Sequence, residues 1–170
     1  MSKSIKSIIT LSTICLIIAV ALAGVNYITA PLIKAEEDKA TTDALREVYP
    51  AAVSFESVDI SEYEGIDETV NEIYRADDGG FVVKLTTTGY SSGMVIMCGI
   101  DSEGVVTGAV CIASSETLGY EKTYGASLVG KDLAAVSEAD TVSGATKTTK
   151  AYRDAVALAI ETIEQIKGGD

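Results

Sequence analysis

Apolar and polar positions change their rhythm several times along this chain. Residues 7–33 carry no charge, with Lys6 before them and Lys34 after. Their apolar heart, residues 8–28, is 21 residues long, and at about 1.5 Å per residue a helix of that length spans the roughly 30 Å hydrocarbon core of a bilayer. Thr10, Ser12, Thr13 and Asn26 fit such a span because they are uncharged and can bond to the backbone or to neighbouring helices. Pro31 is expected to break or kink the path just beyond it. The alanine- and charge-rich residues 35–48 then read as a helix, with Ala40, Ala44, Leu45 and Val48 near one stripe. Tyr49-Pro50 ends it, because a residue before proline is pushed out of the α region.

A strand-rich stretch follows. Residues 54–59, 72–76 and 81–88 are candidate strands, the last reached through the turn Asp77-Asp78-Gly79-Gly80. Residues 94–100 and 105–114 predict a hairpin around Asp101-Ser102-Glu103-Gly104. The ligand spacing there is wrong for a calcium loop, so a turn is the reading. With Ile100 facing Val105, Cys98 would pair with Thr107 and Cys111 with Met94. The two cysteines would then lie roughly 13 Å apart along the strand, too far for a disulfide. A short helix is expected over residues 127–134 and a long one over residues 148–167, where Val156, Ile160, Ile163 and Lys167 follow helical spacing and Ala155, Ala159 and Ile166 widen the stripe. Gly168-Gly169 ends it. The class is α+β, an antiparallel sheet with helices around it, and the chain shows no internal repeat.

The same pattern divides the chain into an anchor (residues 1–33), a helical linker (34–52) and a domain (53–170). Ala21-Leu22-Ala23 has the look of a signal-peptidase site, but the apolar pattern continues past it, which favours a retained anchor over a cleaved signal peptide. Ser12-Thr13-Ile14 before Cys15 makes a poor lipobox. Lys3, Lys6 and the α-amino group against Lys34 place the N-terminus in the cytoplasm and the domain outside the cell membrane.

Charge and composition narrow the chemistry. All 25 acidic residues but only ten of the 13 basic ones follow Lys34, a net −15 there. Such a surface repels nucleic acid and anionic headgroups. There is no histidine, which removes Ser-His-Asp triads, Cys-His nucleophiles and histidine metal sites together. The three cysteines form no C-x-x-C, so the chain cannot by itself supply an ordinary four-thiolate iron–sulfur site. Redox chemistry here needs a borrowed organic cofactor.

One segment can hold such a group. Asp140-Thr141-Val142-Ser143-Gly144-Ala145-Thr146 runs directly into Lys147-Thr148-Thr149-Lys150 and the last helix. It delivers a hydroxyl to a helix start, where free N–H groups and the positive dipole end suit a phosphate. Gly144 allows close backbone approach, and Ala145 keeps bulk away from the hydroxyl. On local physics alone the segment also reads as an ordinary helix cap. Thr148 and Thr149 rival Thr146 by proximity, and Lys147 is either a phosphate partner or simply an exposed cation.

Asp-x-x-Ser-Gly-Ala-Thr resembles the flavinylation motif of the FMN-binding domain shared by RnfG and NqrC subunits of membrane-bound, ion-translocating oxidoreductases. The segment GYSSGMVIMCGIDSEGVVTGAVCIAS resembles that family's glycine-rich turn and hairpin. Ser115-Glu116-Thr117-Leu118-Gly119-Tyr120-Glu121 resembles its S-E-T-P-G-L-G loop, with Leu118, Tyr120 and Glu121 departing from it. The stretch from Ala44 to Ala52 resembles the segment that follows the anchor in RnfG-like chains, and the short length favours RnfG over NqrC.

The resemblance implies FMN held through a phosphoester on Thr146, installed by a separate flavin transferase with FAD as donor. It implies flavin contacts from Ser143, Gly144, Ala145, Lys147 and Thr148 on one side and from Glu116, Thr117, Leu118 and Gly119 on the other. The phosphate is expected at the backbone N–H groups of residues 147–149, and the ring toward residues 116–120. The implied function is an electron-carrying subunit of an Rnf-type complex that couples electron transfer between ferredoxin and NAD to ion transport. Its partners would be the other membrane subunits of that complex, with no catalytic residue, metal or activity of its own. An NqrC-like or stand-alone flavoprotein carrier, and a membrane-tethered binding or assembly domain without flavin, are the alternatives.

Overall fold

The computed structural model describes residues 3–168. Helix α1, Lys3–Val48, runs through Pro31 without a break, where the sequence pattern predicts an interruption. Proline removes one hydrogen bond, a cost that an otherwise strongly helical segment can absorb. Among the described residues α1 is the helix long and apolar enough to cross a membrane. Thr10, Thr13 and Thr29 donate their hydroxyls back to the carbonyls of Lys6, Ile9 and Val25, so none of the three is an unpaired polar group in that stretch. The chain divides into two compact units after Ala40.

The second unit is built on an antiparallel sheet in sequence order. Its strands are β1 (Phe55–Val58), β2 (Val70–Ala76), β3 (Phe81–Thr87), β4 (Met94–Ile100) and β5 (Val106–Ala113). Each strand follows the hydrophobic pattern, and the α+β class is as expected. Side-chain alternation sorts the strand residues onto two faces. Phe81, Val83, Leu85, Met94, Ile96, Cys98 and Ile100 enter one core with helix α3 (Thr146–Gly168), while Val82 and Met97 enter a second with the end of α1. Covering both faces explains the apolar run of β4, which shows no polar alternation.

The second core depends on two glycines. Gly99 and Gly108 face each other across β4 and β5, and the backbone of Val48 lies on them. A Cβ at Gly108 would stand 2.6 Å from both Val48 Cα and Val48 O, and one at Gly99 would stand 2.5 Å from Val48 O. Thr107 donates its hydroxyl to Val48 O at 2.7 Å, and Tyr49 donates to Asp78 Oδ2 at 3.0 Å. Residues 41–49 are thus packed into this unit, with Val48 fully buried.

Three expectations are corrected. Cys98 pairs with Ala109 and Cys111 with Ile96, because Ile100 pairs with Val106 instead of Val105 and an irregularity at Gly99/Ile100 shifts the register again. The cysteines are therefore diagonal neighbours, about 7–8 Å apart in such a ladder, and both are free thiols. The helix expected over residues 127–134 is two pieces, a 3-10 helix at Tyr124–Leu128 and α2 at Leu133–Ser137. Gly130 at φ 77° separates them, and Asp132 caps the second through Ala135 N–H at 2.9 Å. Lys167 is no core residue: its ammonium donates to the carbonyls of Asp101 and Ser102 and lies 5.5 Å from the Phe81 ring centroid. Tyr152 takes up stripe space instead, fully buried.

Candidate functional site

The N-terminus of α3 is held by a threonine clamp. Gly144 adopts φ 86°, a left-handed conformation that glycine alone among common residues takes freely. The chain reverses there, and Ala145 N–H donates to Val142 O at 3.0 Å. Thr149 closes the turn from inside: its hydroxyl accepts from Val142 N–H at 3.1 Å and donates to Ala145 O at 3.0 Å. Further support comes from Tyr124, whose hydroxyl donates to Asp140 O at 2.8 Å, and from Arg153, which donates to Ala139 O at 3.1 Å.

This clamp makes the three neighbouring threonines unequal. Thr149 is fully buried, with its hydroxyl engaged twice. Thr148 is buried and donates to Glu116 Oε2 at 2.6 Å. Thr146 is exposed, and its hydroxyl makes only a long contact of 3.4 Å to Val142 O. Proximity alone does not separate the three, but exposure does: the hydroxyl of Thr146 is the one among them on an exposed residue.

The helix begins at Thr146, two residues earlier than its periodicity predicts. Thr149 N–H bonds to Ala145 O at 3.0 Å. The amides left free by helix geometry are therefore those of Thr146, Lys147 and Thr148, not those of residues 147–149.

Facing this helix start is the loop after β5. Glu116 ties the two together, accepting from Thr148 with one oxygen and from Ser91 N–H at 2.9 Å with the other. Gly89 lies against the same carboxylate, since a Cβ there would stand 2.6 Å from Glu116 Oε1. Glu121, buried, accepts from the Ser114 hydroxyl at 3.0 Å and pins the base of the loop. Gly119 at φ 75° turns the chain into the 3-10 helix Tyr120–Lys122.

Between helix start and loop lies a cleft of about 450 Å³, lined by Tyr90, Glu116, Thr117, Leu118 and residues 144–148. That volume is within the usual range for small-molecule sites. It brings together Gly144, Ala145, Thr146, Lys147 and Thr148 with Glu116, Thr117 and Leu118, as the sequence expectation groups them. Ser143 and Gly119 are not among its lining residues. Tyr90 is, and sequence reasoning misses it, because the glycine-rich segment 89–93 carries only the pattern of a turn. Tyr90 and Leu118 are 70% and 64% exposed, so a planar apolar ligand can cover them.

Thiol chemistry is suppressed in the hairpin of β4 and β5. Burial pushes the Cys98 thiol up to about 12, and burial with the neighbouring Glu121 charge raises that of Cys111. Both stay protonated at neutral pH and are poor nucleophiles. The donor set at the helix start suits a phosphate instead: three amides, the dipole end and the Lys147 ammonium.

Comparison with known proteins agrees with that chemistry. Residues 89–161 match the FMN-binding domain, a span that contains every lining residue of the cleft. The G component of the Na(+)-translocating ferredoxin:NAD(+) oxidoreductase complex of Acetobacterium woodii is 29% identical, over 92% of this chain and 89% of its own. The G component of the ion-translocating oxidoreductase complex of Methanosarcina acetivorans is 26% identical over 98% of both.

Proposed function

We propose that this chain, an RnfG-type protein with an FMN-binding domain, is the electron-carrying subunit of a membrane-bound, ion-translocating oxidoreductase complex and bears FMN as a phosphoester on Thr146. The observation that carries the attachment site is the inequality of the threonines: Thr148 and Thr149 are buried and bonded, while Thr146 opens on the cleft. In the attachment, Thr146 Oγ1 forms a new P–O bond to the flavin-side phosphorus of FAD as the bond to AMP breaks. The hydroxyl proton leaves to a base on the flavin transferase, which also supplies the metal, since a threonine hydroxyl is a weak nucleophile by itself.

The chain's own residues then bind and orient. The amides of Thr146, Lys147 and Thr148 and the Lys147 ammonium would hold the phosphate. Tyr90 and Leu118 would flank the ring, and Glu116 fixes the distance between the two walls. Once bound, FMN supplies the one-electron chemistry that no side chain here offers. The exposure of the Tyr90 and Leu118 side chains would leave a bound ring open to a donor and an acceptor.

Helix α1 anchors the chain in the cell membrane with its N-terminus in the cytoplasm, and the domain lies outside. The other membrane subunits of an Rnf-type complex are its partners, and electron flow between ferredoxin and NAD drives sodium or proton transport through the assembly. Co-expression with a flavin transferase should leave the denatured band fluorescent under ultraviolet light, with the added mass on the peptide containing Thr146. A band that stays fluorescent in Thr146→Ala would refute the site. Membranes lacking this chain should lose ferredoxin–NAD activity, and full retention would refute the role.

A further inference from the structure

Glu116 is the acidic residue among those lining the cleft, and Lys147 the basic one. No lysine or arginine lies within ion-pair distance of the Glu116 carboxylate among the described residues. Its two oxygens are instead held by a neutral amide and a neutral hydroxyl, Ser91 N–H at 2.9 Å and Thr148 Oγ1 at 2.6 Å. Those bonds fix the carboxylate in position without cancelling its charge. Glu116 itself is half-buried, where a charge is screened less than at an open surface. A second carboxylate, that of the buried Glu121, accepts from the Ser114 hydroxyl at 3.0 Å at the base of the same loop.

We propose that Glu116 is a positioning residue that also sets the reduction potential of the flavin in this cleft, holding it low by a fixed negative charge that opposes an added electron. The inference rests on the proposed reading of the cleft as the FMN site. Adding an electron to the ring without a proton adds one negative charge, and a like charge nearby disfavours that state as it disfavours ionisation of a neighbouring acid. Lys147 follows Thr146 directly, so a phosphate on Thr146 would be the charge nearest to it. The carboxylate would then be the unneutralised charge facing the ring. Geometry gives the hydroxyl of Thr148 a graded part in this: its bond disperses part of the Glu116 charge, so losing it strengthens the field.

The test uses the full chain, co-expressed with a flavin transferase and solubilised in detergent. Flavin at Thr146 is first established by peptide mass, and the potential is then read by spectroelectrochemical titration. Glu116→Gln should shift the reduction equilibrium about tenfold toward the reduced flavin, which is about 59 mV for a one-electron couple. Glu116→Asp, which keeps the charge, should stay near wild type, and Thr148→Val should shift the equilibrium the other way. Flavin-loaded Glu116→Gln at the wild-type potential would overturn the proposal. Should Glu116→Gln fail to load, Thr148→Val decides: a lowered potential supports the proposal, and an unchanged or raised one overturns it. A wild-type chain without flavin at Thr146 would overturn the reading of the cleft itself, a result the mass measurement separates from any shift in potential.

Discussion

Replacing Gly108 by alanine tests whether the end of α1 is a structural part of the second unit. The added Cβ would stand 2.6 Å from Val48 Cα and Val48 O and 3.0 Å from Val48 C. Ordinary carbon contacts are about 3.5–4.0 Å, so the helix end must rise by roughly 1 Å. The obstacle is backbone, which has no rotamer to change. Overpacking of this kind costs about 1–3 kcal/mol. Lifting Val48 also stretches the Thr107 hydroxyl bond to its carbonyl, now 2.7 Å, for about 1 kcal/mol more. A loss of about 2–4 kcal/mol follows, a large share of the roughly 5–15 kcal/mol that a domain has. Thermal unfolding of the full chain in detergent, followed by tyrosine circular dichroism, should show a midpoint about 6–12 °C lower. Gly168→Ala, where an added Cβ meets nothing within 4 Å, is the control and should change little. Because the clash is with backbone, Val48→Ala should not rescue Gly108→Ala. A shift under about 2 °C, or full rescue by Val48→Ala, would show that the helix end is not seated on these glycines.

Thr149→Val keeps the shape but removes the bonds to Val142 N–H and Ala145 O; it should cost about 2 kcal/mol and reduce flavin loading with the Thr146 hydroxyl intact, which peptide mass would show. Burial, and then the hydrogen bond to Asp78, push Tyr49 up to about 12 from about 10 when unfolded. Its contribution is present below pH 10 and is lost as the pH rises toward 12, so Tyr49→Phe should flatten alkaline unfolding in that window, and an unchanged alkaline limb would refute the linkage. Tyr152 buries a hydroxyl with no partner among the described residues; Tyr152→Phe should leave the urea midpoint unchanged or raise stability by up to about 1 kcal/mol, whereas a clear loss would reveal a partner for that oxygen.

The strands were legible because their ends are spelled out in turn residues. Asp77-Asp78-Gly79-Gly80 and Asp101-Ser102-Glu103-Gly104 each close a hairpin; in the second, Asp101 Oδ1 accepts from Glu103 N–H and Val105 N–H at 2.9 Å. Register was not legible. Around Ile100 several apolar residues could face one another equally well, so the pattern does not record the shift at Gly99/Ile100. The misplaced helix over residues 127–134 had an available signal in Asp132, a good N-cap that begins α2 one residue later. Reading Gly130 as a stop and Asp132 as a start would have divided that segment correctly.

The site shows the same division between local and distant information. The residues that present Thr146 are consecutive, so motif and turn chemistry reveal them together. The bond between Glu116 and Thr148 joins positions 32 residues apart, and nothing in the pattern of either segment announces the other. That bond, with the Thr149 clamp, makes the three threonine hydroxyls of the helix start unequal. It engages the Thr148 hydroxyl, fixes the loop at the distance of one carboxylate, and leaves Thr146 facing a cleft walled by Tyr90 and Leu118. The buried side of α3 contributes Tyr152, Val156, Ile160 and Ile163 to the core. Helical spacing therefore links the core to the site: the face that buries Tyr152 also buries Thr148 and Thr149, while Thr146 falls outside it. Which threonine hydroxyl stays exposed is thus a consequence of which helix face the sheet covers.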